Sequence, residues 1–135
     1  TMKIAFDLDG TITAHPEFFK TLYDAWVAKT GSLPYILTAR MERDREVTVA
    51  QLRELGMLTY IDPDHQLQMY PHSYVWPFKS ADDEEYIKQQ HTVWKVEMCR
   101  RLDVSILIDD CSRNAEACQR AGVFVLHVRS PIQLR

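Results

Sequence analysis

The chain has 135 residues with 16 basic and 19 acidic side chains, a net charge of −3, and 46% hydrophobic against 26% charged residues. That is the size of one domain, here expected to span residues 1–135, and it is long enough to bury roughly two-thirds of its unfolded surface without staples. The slight acidity gives no support to a nucleic-acid partner, although a local basic patch stays open, and no apolar run approaches the roughly 20 residues needed to cross a membrane.

Ile4 to Leu8 is a short apolar run ending in Asp-Leu-Asp-Gly and predicts a buried strand. Because strand-like Lys3-Ile4-Ala5-Phe6 comes at once, no signal peptide is expected, and the cytoplasm is the expected location. Pro16 opens a predicted helix in which Phe18, Phe19, Leu22, Tyr23, Trp26 and Val27 recur at helical spacing, with Gly31 as the stop. Leu33 to Leu37 predicts a second strand, closed by Thr38, and Met41 to Leu55 a helix ending at Gly56. Pro63, Pro71 and Pro77 break up residues 57–81, where Leu67 to Tyr70 is a candidate third strand. Asp82 and Asp83 suit the start of a helix reaching about Leu102, with or without a break. Val104 to Ile108 predicts a buried strand, Ser112 a cap for a helix through Ala121, and Val123 to Val128 a last strand. The three cysteines, Cys99, Cys111 and Cys118, are odd in number and match no metal-ligand spacing; they read as free thiols in a reducing compartment.

Short apolar strands alternating with amphipathic helices predict an α/β, three-layer Rossmann-like domain with a mostly parallel central sheet. Ligands of such sheets bind at the carboxyl ends of the strands. Four polar features fall there or close by: Asp7-Leu8-Asp9-Gly10-Thr11, Thr38, Lys95 and Asp109-Asp110. Residues two apart on an extended chain point to one side, so Asp7 and Asp9 are expected to share a pocket. A carboxylate pair suits phosphoryl transfer: one attacks phosphorus, the other protonates the leaving oxygen and later takes a proton from water. A phosphate beside several carboxylates needs cations. Asp109 is placed to complete a magnesium site with Asp7, Thr38 to donate to a phosphate oxygen, and Lys95 to neutralise both Asp7 and the phosphate. Taken singly, each has a plainer reading: a turn, a helix cap or a solvated lysine.

In this order the four features resemble the motifs of the haloacid dehalogenase-like (HAD) superfamily of phosphohydrolases. Asp7-Leu8-Asp9-Gly10-Thr11 looks like the first, Tyr35-Ile36-Leu37-Thr38-Ala39-Arg40 the second, Trp94-Lys95 the third and Leu107-Ile108-Asp109-Asp110 the fourth. The resemblance covers about Lys3 to Val128. It implies a magnesium-dependent phosphomonoesterase with Asp7 as nucleophile and metal ligand, and Asp9 as acid/base that binds the metal through its backbone carbonyl. Thr38 and Lys95 would hold the phosphate, Asp109 would ligate Mg2+ directly, and Asp110 would ligate or support it through water. Lys88 is the weaker candidate for the phosphate-binding lysine. Members often carry a cap domain, but here 26 residues separate Thr11 from Thr38 and 56 separate Thr38 from Lys95. A capless domain is therefore implied. Its open site would take a phosphorylated macromolecule, or a small phosphoester enclosed by a homo-oligomer.

Arg40 is a candidate for binding a substrate phosphate or carboxylate in bidentate fashion, with a surface arginine as the equal alternative. The aromatic stretch Tyr70 to Phe78 either packs on its own core or meets a ligand. His15 and His72 are candidates for the entrance. Two other classes compete with a phosphatase: a phospho-ligand binding module with little turnover, and a signalling receiver domain. In a receiver the acidic pair follows the first strand, whereas here it comes late.

Overall fold

The computed structural model describes residues 1–129 of the chain. Strands β1 (Ile4–Asp7), β2 (Tyr35–Met41), β3 (Leu67–Tyr70), β4 (Ile106–Asp109) and β5 (Phe124–His127) form one sheet in the order β3-β2-β1-β4-β5. Every pairing is parallel. Helices α1 (Pro16–Thr30), α2 (Arg45–Glu54), the single turn α3 (Pro63–Gln66), α4 (Ala81–Arg101) and α5 (Ser112–Arg120) make the crossovers.

Period-two alternation divides the core between the two faces of the sheet. Ile4, Phe6, Ile36, Leu67, Met69 and Ile108 pack with Phe19 and Tyr23 of α1 and Leu52 of α2. Ala5, Leu37 and Leu107 face the other way, onto Trp94, Met98 and Cys99 of α4 and Ala115 and Cys118 of α5. The result is an α/β layering with helices on both faces, of the Rossmann-like kind.

Several element boundaries differ from expectation for local reasons. β1 stops at Asp7, because Leu8 turns into a tight loop closed by Thr13 N–H to Leu8 O (3.1 Å) and Gly10 N–H to Thr13 Oγ1 (2.9 Å). β2 begins at Tyr35 and not Leu33, since Pro34 has no amide proton for the ladder and its carbonyl accepts from the Gln66 side chain. It then runs past Thr38 to Met41, with an irregular register against β3 between those residues. The helix expected from Met41 accordingly starts at Arg45, after a 3-10 turn Glu42–Asp44.

The start of α4 is capped by Ser80, whose hydroxyl accepts the Asp83 amide (3.1 Å), and not by Asp82 or Asp83; the helix is unbroken. Ser112 is likewise the first residue of α5 and not its cap: Cys111 precedes the helix, with its amide held by the Asp109 carboxylate.

Successive strands step from β1 outward to β3, and the chain then returns across β1 to add β4 and β5 on the far side. The order reverses between β1 and β4. At such a switch point the crossovers leave on opposite sides and open a crevice at the strand ends.

Candidate functional site

Asp7 ends β1 and Asp109 ends β4, so the switch point brings the two carboxylates together across adjacent strands. Between them lies the ammonium of Lys95 from α4, at 2.8 Å from Asp7 Oδ1 and 2.9 Å from Asp109 Oδ2. Lys95 is 1% exposed, Asp7 7% and Asp109 0%. Charged groups so deep are retained only when paired and hydrogen-bonded. The remaining lone pairs are also met: Thr11 donates to Asp7 Oδ2 (3.0 Å) and lies 3.1 Å from Asp110 Oδ1, and the Cys111 amide donates to Asp109 Oδ1 (2.9 Å).

Burial raises the Asp7 carboxyl to about 6, against the pull of Lys95 and with Asp110 adding to the rise. Burial also raises Asp109, again opposed by Lys95. Burial alone would lower the Lys95 ammonium, but Asp7 and Asp109 outweigh it and hold it above its usual range. The centre is thus three carboxylates around one firmly protonated amine, an excess of two negative charges when all are ionised. Oxygens of Asp7, Asp109 and Asp110 lie within 4.8 Å of one another. An oxygen donor set with that charge excess could hold a metal ion.

The centre forms the floor of a cavity of about 450 Å³, lined by Asp7, Asp9, Thr38, Lys88, His91, Lys95, Asp109, Asp110 and Asn114, among others. A second cavity of about 420 Å³ lies elsewhere, beside Lys3, Trp26, Tyr35 and His65. The two match in size, and only the first gathers charged groups at strand ends. No residue of the segment 57–81 lines it, so that segment does not roof the site.

Thr38 is 1% exposed, and its hydroxyl accepts the Arg40 amide (3.2 Å). It stands inside β2 and is not a helix cap. Of the two lysines, Lys95 reaches the carboxylates, whereas Lys88 is half exposed and paired with Glu84.

Asp9 and Asp7 both line the cavity, but the tight turn, and not an extended strand, sets their relation. Asp9 has φ −71° and ψ 126°, and Gly10 has φ 81°. The Asp9 carboxylate is gripped by Arg40 through two bonds of 2.7 and 2.9 Å. Arg40 is anchored in turn on Thr48 (3.2 Å) and Gln51 (2.8 Å) of α2. Arg40, a candidate for meeting substrate, is absent from the cavity lining, and its fork is engaged by Asp9.

Sequence reasoning assigned no role to Thr11, Asn114 or His91. Thr11 stands four residues from Asp7 inside the first motif, which is a usable signal. Asn114 lies 3.4 Å from Asp109 and 2.6 Å from Thr92; its place on α5 carries no signal of its own. His91 is pushed down to about 4 by burial and by the charge of Lys95. His15 and His72 do not line the cavity.

The three cysteines are unbridged. Among the described residues no helix is long and apolar enough to cross a membrane. The molecule is therefore an α/β protein with a five-stranded parallel sheet and a buried lysine–carboxylate centre at its switch point. Neither family models nor curated proteins match the chain.

Proposed function

We propose that this protein is a magnesium-dependent phosphomonoesterase of the HAD type, working through a phosphorylated Asp7. The observation that carries this reading is the buried ammonium of Lys95 shared between Asp7 and Asp109, with Asp110 beside them. A structural ion pair needs one carboxylate, not three. A centre with surplus negative charge, at the floor of an open cavity, is arranged to receive a cation and an anion together. Asp7, Asp109 and Asp110 would hold Mg2+, with the Asp9 backbone carbonyl, as the family resemblance implies. When bound, the ion supplies charge neutralisation between phosphate and nucleophile.

The chain's own groups divide the remaining work. Lys95 and the Thr38 hydroxyl bind phosphate oxygens and lower the repulsion on approach. An Asp7 oxygen attacks phosphorus as the ester P–O bond breaks, and Asp9 gives its proton to the departing oxygen. Asp9 then takes a proton from water, which attacks phosphorus, breaks the bond to Asp7 and releases inorganic phosphate. Arg40 is a positioning residue in this scheme: its two bonds set where the Asp9 carboxylate stands.

Arg40 also occupies both oxygens of the Asp9 carboxylate. That is the one observation on the side of a phospho-ligand binding module with little turnover. Phosphate release from an aryl phosphate with Mg2+ separates the two readings. The wild type is expected to turn over, and Asp7→Asn to fall to background. A wild type as inert as Asp7→Asn over sugar phosphates, nucleotides, phosphopeptides and end-phosphorylated oligonucleotides would sink the enzyme reading, and retained phosphate binding would then favour the module. The open cavity leaves both a macromolecular phosphoester and a small one within reach, the latter with or without a homo-oligomer.

A further inference from the structure

The cavity over the carboxylate centre carries cations at two depths. Lys95 lies on the floor, between Asp7 and Asp109. Lys88 and Arg113 line the same cavity. α4 leads back from the carboxyl end of β3 toward the start of β4, so residues before Lys95 rise from the floor to the mouth. Lys88 is two turns earlier on that helix, about 10.5 Å along the axis at 1.5 Å per residue. Arg113 stands in the first turn of α5, on the opposite wall. Both outer side chains are partly exposed. The acids on the lining are Asp7, Asp9, Asp109 and Asp110. Asp9 is the most exposed of these, and Arg40 neutralises it.

The acids that pair with the two outer cations lie off the cavity. Lys88 meets Glu84 at 2.9 Å and Arg113 meets Glu85 at 2.8 Å, and neither glutamate is on the lining. Solvent-exposed pairs of this kind hold weakly. Arg113 gives only Nη2 to Glu85, while its Nη1 is buried without a hydrogen-bond partner. His91, between Lys88 and Lys95 on α4, also lines the cavity, and its Nε2 is in the same state. Trp26 and Arg53 are the other two such cases among the described residues, so half of them fall at this one cavity. Buried polar atoms with no partner are rare and call for one. α5 has no acidic residue in its first turn and no side-chain cap, which leaves its positive end uncompensated. The outer wall formed by α4 and α5 is thus set for an anion.

We propose that Lys88 and Arg113 form a second anion subsite, and that the substrate is a small phosphoester carrying a further phosphate beyond the one at Thr38 and Lys95. The inference rests on the phosphate-site reading above and adds the substrate class to it. Two cations match the double charge of a phosphate better than the single charge of a carboxylate, and a guanidinium suits its geometry. The cavity of about 450 Å³ has the size of a small-molecule site. A polyanion needs a longer basic groove, and the chain is net acidic.

The test is calorimetric titration of Asp7→Asn protein, with Mg2+, using fructose 6-phosphate, fructose 1,6-bisphosphate and a 5′-phosphorylated oligonucleotide. The two sugars differ by one phosphate, and the bisphosphate is expected to bind about tenfold more tightly. Adding Lys88→Gln and Arg113→Gln together should bring that ratio to about one, and raising the salt concentration should narrow it, because the outer cations are partly exposed. A ratio near one without those two changes overturns the second subsite, as does a ratio that survives them. Tighter binding of the oligonucleotide than of the bisphosphate overturns the small-molecule assignment. Phosphate release by the wild type keeps the two failures apart: turnover without a preference for the bisphosphate removes only the second subsite, while no turnover and no binding of any phosphate removes both.

Discussion

At the scale of single residues, the site depends on groups that touch one another across the turn Leu8–Ile12. Gly10 has φ 81°, and a Cβ there would collide with the Asp110 carboxylate. Gly10→Ala is thus both conformationally strained and aimed at one carboxylate of the candidate metal centre. The expected outcome is a folded protein, by circular dichroism, whose thermal midpoint no longer responds to Mg2+. His91 and Asp7 make opposite contributions to stability with pH. His91 falls from 6.5 to about 4 on folding, so the unfolded chain binds the extra proton between those values. Its stabilising contribution is complete above about 6.5 and lost as pH falls toward 4. Asp7 rises from 3.8 to about 6, so the folded state binds the extra proton, and metal-free stability from this group falls as pH rises from about 4 to 6. Urea unfolding in EDTA from pH 4 to 7.5 separates them. His91→Phe should hold up better than the wild type toward pH 4, and Asp7→Asn should lose the decline between pH 4 and 6.

At the scale of elements, α4 is the structural spine of the site. Its 21 residues carry His91 and Lys95 to the cavity and Trp94, Met98 and Cys99 to the core. The Ser80 hydroxyl on the Asp83 amide satisfies one of the helix's unpaired donors. Acidic Asp82, Asp83 and Glu84 in the first turn complement its dipole. Ser80→Ala should cost about 1 kcal/mol, read as a lower urea midpoint with an unchanged slope. The acidic start of this helix was plain in the sequence, but the capping residue was not. Any of Ser80, Asp82 and Asp83 has the chemistry of a cap, and only backbone conformation selects one. β2 shows the same limit: Thr38 reads as a helix cap until pairing with β3 carries the strand on to Met41. The aromatic stretch after β3 divides in a way composition does not announce, with Tyr70 and Tyr74 turned to the core and Trp76 left in water.

Across the whole molecule, the sheet order puts negative charge where it is costly, and ligand binding should therefore register as stability. At a hundred times its dissociation constant a ligand of the native state adds about 2.7 kcal/mol, roughly 5–10 °C for a domain of this size. Mg2+ should raise the thermal midpoint by that order at saturation and EDTA should reverse it, while Asp109→Asn should remove the response; an unchanged wild-type midpoint at millimolar Mg2+ would count against the metal site. The amino-acid sequence by itself determined the alternation of strands and helices, and hence the parallel α/β layering, because apolar periodicity is local. It also determined that Asp7 and Asp109 would stand at strand ends, since each closes a short apolar run. Only the tertiary structure decided the rest. Lys95 and Asp7 are 88 positions apart, and the sequence favoured Lys95 over Lys88 without showing what either one touches. The choice follows from placing β4 next to β1 and from the rotation of α4 against the sheet. The grip of Arg40 on Asp9, across 31 positions, was equally out of reach. It depends on β2 lying beside β1 and on α2 supplying Thr48 and Gln51, and side-chain pairing between separate elements is set by their docking, not by the residues of either one.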